Sequence, residues 1–344
     1  MEQEMLSLLH GFDFKSAKEV FKEGIDTIKF INSGKIKPLI TSIDTENEAT
    51  GGLYPSDQMV IVGANSIGIT TRVIAMIDDF LNPVINPTYE NNIVVLYNSW
   101  EVAGWRNALK FLSLKSNRTV SDLLDIQKQK ELQHIQMMET LASKYDNLPL
   151  FINNKSNSAK GWETATKNII NRFEGKTIIN IVDNTKFLTR INFTNEESLV
   201  SDFMFMAHGM KNKFNCINII VSSLRNSDFV KTISLGQKLP VPADVFAQSA
   251  VFSSSDIVVA CHRPGFYGDT DFKISATMTA NTGLMDISAK DDYLWIQEYL
   301  KNKYGESRRI YIKHDVKNGR FRKFTDSERT HTFKSKTRIS TDDY

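Results

Sequence analysis

Residues 63–70 read Gly63-Ala64-Asn65-Ser66-Ile67-Gly68-Ile69-Thr70, and the fold follows from what flanks them. Before them, QMVIV at 58–62 is an apolar run of strand length. After them, residues 70–81 carry the apolar spacing of a helix. The stretch has the spacing G-x-x-x-x-G-x-T of a phosphate-binding Walker A loop, in the strand-to-helix context that loop requires. Glycines let the backbone curl until its amide N–H groups face a phosphate, and the helix N-terminus adds its positive dipole end. Thr71 follows on the same first turn, and the hydroxyl of Thr70 is placed to hold Mg2+. The lysine that ordinarily follows the second glycine is replaced by Ile69. That ammonium bridges the β- and γ-phosphates, which a branched alkyl group cannot do. A plain strand-to-helix turn has the same spacing, so the loop needs support from elsewhere in the chain.

Working outward, strands and helices alternate. Apolar runs at 92–97, 178–182, 217–222, 256–261 and 309–313 read as buried strands, with a shorter one at 148–152. Helical spacing covers 101–115, 119–144, 160–174 and 195–213. Several runs lack the alternation of a half-exposed strand, and helices separate most of them. This predicts an α/β fold with a mostly parallel central sheet covered on both faces. Upstream, FKSAKEVFKEGIDTIKFI at 14–31 is an amphipathic helix. It packs either on its own core or as an arm on a neighbouring subunit. The last twenty residues are polar and read as a tail.

Net charge is +2, so no strong basic field announces a nucleic acid, although a ring can gather lysines in its channel unseen by net charge. The two cysteines, Cys216 and Cys261, each lie in an apolar run and read as buried thiols rather than a disulfide or zinc framework. No run approaches the ~20 apolar residues of a membrane span, and the first residues, MEQEMLSLLHGFDF, lack the basic start of a signal peptide. A cytoplasmic protein is expected. The bias toward Asn, Ile and Lys suggests an AT-rich, bacterial or phage, source.

Several further stretches carry a resemblance. ITSIDTENEATGGLYPSDQMVIVGA at 40–64, NSWE at 98–101, LPLFINN at 148–154, IINIVDNTKFL at 178–188, SSDIVVACHRPGFYGD at 254–269 and RIYIKHDVKNGRFRKF at 309–324 follow one another in the order and spacing of a known family. The chain resembles the C-terminal, RecA-like P-loop motor domain of DnaB-type hexameric replicative helicases over about residues 16–324. The resemblance implies an N-terminal linker helix or oligomerisation arm (1–45), a RecA-like ATPase domain (46–324) closed by a C-terminal hairpin, and a flexible tail (325–344). The family's N-terminal loader- and primase-binding domain has no counterpart in the sequence.

By that resemblance, residues 63–71 bind nucleotide, with Arg263 at a nucleotide-base or subunit edge. Glu101 stands where the family's glutamate polarises the attacking water. Asp183 ends the Walker B strand and holds Mg2+ with Thr70. Lys313 and Lys317 approximate the lysine and arginine finger that the hairpin presents to the neighbouring subunit. Ser223 replaces the family's sensor glutamine, and no arginine occupies the finger position: it falls on Asp315 ungapped, or on Lys317 with a two-residue insertion. A lysine lacks the planar fork of arginine. The implied ligands are ATP and Mg2+, and the implied partners are single-stranded DNA and other subunits: a homo-oligomeric ring, hexameric in the family, or a mixed ring with an active helicase. Two readings stay open. One is a motor with weakened hydrolysis; the other is a catalytically inactive relative with a structural, regulatory or DNA-binding role in replication.

Overall fold

The computed structural model describes residues 15–125, 127, 132–189, 195–225, 239–267 and 293–324. The polar tail therefore lies outside the described residues. The chain divides after Pro38 into two units. In the first, helix α1 (Ala17–Asn32) opens with a capping box. The Ser16 side chain accepts the Glu19 N–H, and the Glu19 carboxylate accepts the Ser16 N–H at 2.7 Å. Such a cap is worth about 1 kcal/mol to a helix end. Val20, Phe21, Ile25 and Ile28 form its apolar stripe and are each more than half exposed.

The second unit starts at Leu39. A short helix α2 (Asp44–Thr50) ends at Gly51 in the left-handed conformation. Among the described residues nine strands follow, interleaved with helices: β1 (Gln58–Gly63), α3 (Ile69–Phe80), β2 (Ile93–Ser99), α4 (Gly104–Ser116), α5 (Val120–Leu123), α6 (Leu132–Ala142), β3 (Leu150–Asn153), α7 (Ala159–Arg172), β4 (Thr177–Asp183), α8 (Glu196–Phe214), β5 (Ile217–Ser223), α9 (Gln248–Ser254), β6 (Ile257–His262), β7 (Leu294–Asn302), β8 (Arg309–Asp315) and β9 (Arg320–Lys323). They form one sheet in the order β3-β2-β4-β5-β1-β6-β7-β8-β9. The first six strands are mutually parallel and the last three join antiparallel. The expected mostly parallel α/β sheet is what the chain builds.

The apolar runs explain this arrangement. Successive side chains of a strand point to opposite faces. Met59 and Ile61 of β1, Ile219 and Val221 of β5, and Val259 of β6 join one core with Val73, Ile74 and Ile77 of α3. Val60, Val62, Ile220 and Val258 join the other, with Phe203 and Ala207 of α8 and Trp162 of α7. A run that is apolar on both faces needs a helix layer on each side, and a parallel crossover supplies it. Both cysteines are free and buried, as expected. Among the described residues no helix is long and apolar enough to cross a membrane.

Two expectations differ in detail. The helix over 119–144 is described as α5 and α6, with residues 126 and 128–131 outside the described set. Strand β7 was not expected. Its Gln297 is buried and donates to Glu46 at 2.6 Å, so a satisfied inward amide interrupts the apolar pattern that marks a strand.

Candidate functional site

Because β1, β2, β4 and β5 run parallel, their C-terminal ends share one edge of the sheet. That edge is where open α/β sheets place ligands. Register aligns Gly63 with Ser223 and Ser99 with Asp183. A cleft of about 280 Å3 opens there.

Residues 63–71 form one wall of the cleft, Ile67 excepted. The loop holds Ser66 at φ 66° and Gly68 at φ 107°. Only glycine adopts the latter cheaply. Behind the loop, Arg263 donates from Nη1 to the Ile67 carbonyl at 3.1 Å. Arg263 is thus a brace for the loop's back and does not line the cleft. A side chain on Gly68 would meet His314 at 3.6 Å and Trp295 at 3.7 Å, so the closing strands β7 and β8 support the loop from the same side.

Ile67 and Ile69 turn toward the core. A methyl group placed on Gly63 would stand 2.6 Å from the Ile69 Cδ1 and 2.8 Å from that of Ile67. Gly63 is therefore required by close packing as much as by the turn. Ile69 is 9% exposed, and its side chain covers the base of the loop at the cleft wall.

Glu101 and Asp183 line the same cleft and are its two carboxylates among the described residues. Asp183 is buried and accepts the Tyr97 hydroxyl at 3.0 Å. The Thr70 hydroxyl also hydrogen-bonds to it. Burial pushes the Asp183 acid above its usual range, against the pull of these two hydroxyls. Burial and the adjacent Asp183 charge likewise raise the Tyr97 phenol. Glu101 is exposed and accepts the Asn184 amide at 2.6 Å, which fixes its direction next to Asp183. Ser222 and Ser223 close the floor.

A hydroxyl and a carboxylate in contact beside a curled loop fit Mg2+, which takes one or two carboxylates and completes its shell with water and phosphate oxygens. Among the described residues no group of three His, Cys, Asp or Glu side chains could hold a metal by itself.

Sequence reasoning brought residues 63–71, Glu101 and Asp183 to one place, as the structure does, save that Ile67 faces the core. Lys313 and Lys317 do not line the cleft of their own chain. Lys313 lies in β8 with its ammonium 5.4 Å from the Tyr293 ring centroid. Lys317 is exposed in the β8–β9 turn. That turn abuts the loop's helix: a side chain on Gly319 would meet Thr71 at 2.6 Å. Sequence reasoning missed Lys110 and Asn184, which line the cleft. Asn184 directly follows Asp183, so adjacency was its signal. Lys110 lies three residues after buried Asn107 and four before buried Leu114 on α4, a spacing that does not by itself distinguish a cleft residue.

A family profile described as the DnaB-like helicase C terminal domain matches residues 39–323. Among solved structures, one ATPase domain superposes with a TM-score of 0.72 at 15% identity, covering 91% of this chain and 100% of that one. A DnaB-like replicative helicase studied with primase superposes with a TM-score of 0.70 at 15% identity, covering 94% of this chain and 71% of the other. No curated protein matches by sequence.

Proposed function

Since the chain belongs to the DnaB-like helicase C-terminal domain family, we propose that it binds Mg2+–nucleotide in the cleft over residues 63–71 and serves as a ring-forming motor domain on single-stranded DNA with weakened hydrolysis. One observation carries this reading: the Thr70 hydroxyl, the Asp183 carboxylate and the Glu101 carboxylate share one cleft with a loop that turns through positive φ at Ser66 and Gly68. Bound Mg2+ neutralises phosphate charge. Thr70 and Asp183 are the residues to hold it. Glu101, directed by Asn184, is the residue to orient a water. Lys313 and Lys317, which lie away from their own cleft, suit action on that of a neighbour. The apolar stripe of α1 suits docking on an adjacent subunit, hexameric or mixed. The proposed arm is 1–45, the proposed RecA-like domain 46–324 and the proposed tail 325–344, whereas the compact units divide earlier, after Pro38.

A second reading is favoured by Ile69, whose side chain packs against Gly63 at the loop's base and brings no ammonium to the cleft. On that reading the domain is an inactive partner in replication.

A Mg2+-dependent ATPase assay with single-stranded DNA separates the two. Hydrolysis by the native chain that falls about 100-fold or more in Glu101→Ala supports the motor. No hydrolysis in the native chain, with a gain in Ile69→Lys, supports the inactive partner. Absence of nucleotide binding in both sinks the proposal.

A further inference from the structure

The cleft has a cation that no phosphate-loop motif contains. Lys110 lies in the second turn of α4 and is the one basic side chain among the described residues lining the cleft. It lines the same cleft as Ile69, which stands at the missing-lysine position, and as Glu101 and Asp183.

Its surroundings separate it from an ordinary structural lysine. Lys115, on the same helix, is neutralised by Asp78 at 2.7 Å. Lys211 and Lys303 share Asp256 at 2.8 and 2.6 Å. Lys110 is half-buried and has no hydrogen-bond or ion-pair partner among the described residues. With no direct bond to hold it, the ammonium is balanced only at longer range by the two cleft carboxylates and stays available to a ligand. Burial lowers its proton affinity, while the charges of Asp183 and Glu101 raise it.

The position is also held. Asn107, one turn earlier, donates from Nδ2 to the Ser99 Oγ at 2.8 Å and to the Val102 carbonyl at 3.3 Å. These bonds tie the start of α4 to the end of β2, the segment that delivers Glu101. Phe111 and Leu114 bury the rest of the inward stripe. The lysine stem therefore leaves a fixed helix, and its flexible end is what can reach a ligand.

We infer that Lys110 replaces the missing loop lysine, binding the terminal phosphates of a nucleotide in this cleft from helix α4. The inference rests on the reading of the cleft as a nucleotide site. Two carboxylates already stand in the cleft, so a polyphosphate entering it needs more positive charge than Mg2+ alone supplies. The loop amides provide partial charge only. An ammonium provides a full charge and three donors.

Calorimetric titration of the full chain with Mg2+–ADP, Mg2+–adenylyl imidodiphosphate and AMP tests this. Lys110→Met keeps the stem and removes the charge. It is expected to weaken ADP and the triphosphate analogue by about 10- to 100-fold, and AMP by less than about threefold. Lys110→Arg is expected to retain binding within about threefold, because it restores a cation. The exposed Lys144→Met is the control. Unfolding of the ligand-free Lys110→Met chain, expected at or above the native midpoint, checks the fold; Lys110→Gln serves if the methionine variant does not fold. Native binding with equal binding by the charge-removed variant overturns the inference and leaves the nucleotide site standing. An equal loss for AMP overturns it as well. Failure of the native chain to bind any of the three at millimolar concentration sinks both.

Discussion

At position 69 one residue decides between packing and charge. Isoleucine there covers the base of the phosphate loop against Gly63, and burying such a side chain is worth about 1.5–3 kcal/mol. Lysine would have to lay its stem over the same glycine and carry its ammonium into the cleft. Ile69→Lys is therefore expected to lower the stability of the ligand-free protein by roughly 1–3 kcal/mol and to tighten Mg2+–ATP binding at the same time. Denaturant unfolding with and without Mg2+–ATP measures both; a variant as stable as the native chain that gains no affinity contradicts this packing role for Ile69. Asp183 and Thr70 make a second test: Asp183→Asn should leave the fold intact and abolish the Mg2+ dependence of nucleotide binding, read by titration with and without the metal. These residues were legible because their motif fixes them by spacing along the chain. Lys110 was not, because nothing in sequence marks which inward helical position faces an opening at the sheet edge rather than the core.

Among the elements, the residue just before β6, Asp256, carries a structural task. Asp256 accepts the Gln58 N–H at 2.8 Å and thereby fixes the start of β1. It also accepts Lys211 of α8 and, just beyond β7, Lys303. One carboxylate ties together a helix, two neighbouring parallel strands and the antiparallel extension. Burial alone would raise its pKa, yet the hydrogen bonds from Lys211 and Lys303 prevail and hold it below the usual carboxylate range. A depressed folded-state pKa means stability that is full above the unfolded value and lost as pH falls through the folded one. The native protein should lose this contribution only in acid, below the ordinary carboxylate range. Asp256→Asn should lose it at pH 7, leaving Lys211 buried without its charge partner, at a cost of about 3–5 kcal/mol. Thermal unfolding of both forms between pH 3 and 7 is the measurement, and the gap between them should close toward the acid end. An unchanged gap across that range sinks the linkage. The parallel strands were readable because each is apolar on both faces. Strand β7 was hidden because Gln297, Glu298 and Lys301 break its pattern, and their partners Glu46, Arg309 and the Phe252 carbonyl come from distant parts of the chain.

For the molecule as a whole, the proposed function asks for a second contributor to the site. The cleft holds the loop, two carboxylates and one lysine, while Lys313 and Lys317 sit on the closing hairpin outside it. On α1, Val20, Phe21, Ile25 and Ile28 expose an apolar stripe on a helix with no buried residue. An exposed stripe of that kind is costly in a free monomer and suits a subunit contact. If copies assemble through it, Phe21→Glu with Ile25→Glu should reduce the sedimentation coefficient toward that of one chain. The same assembly sets the reach of the hairpin. A chain carrying Glu101→Gln lacks its own proposed water-orienting group but still offers Lys313 and Lys317. A chain carrying Lys313→Ala and Lys317→Ala keeps its cleft but offers nothing to a neighbour. Each alone should be inactive in the ATPase assay. Mixed in equal amounts, they place an intact cleft beside an intact hairpin at some interfaces, and activity should return to about a quarter of the native value, the fraction random pairing gives. Restoration should vanish when either chain also carries the α1 substitutions, since the two sites then no longer meet. If the doubly substituted lysine variant retains native activity alone, or mixing restores nothing at concentrations where the native chain assembles, the hairpin lysines do not act across a subunit boundary.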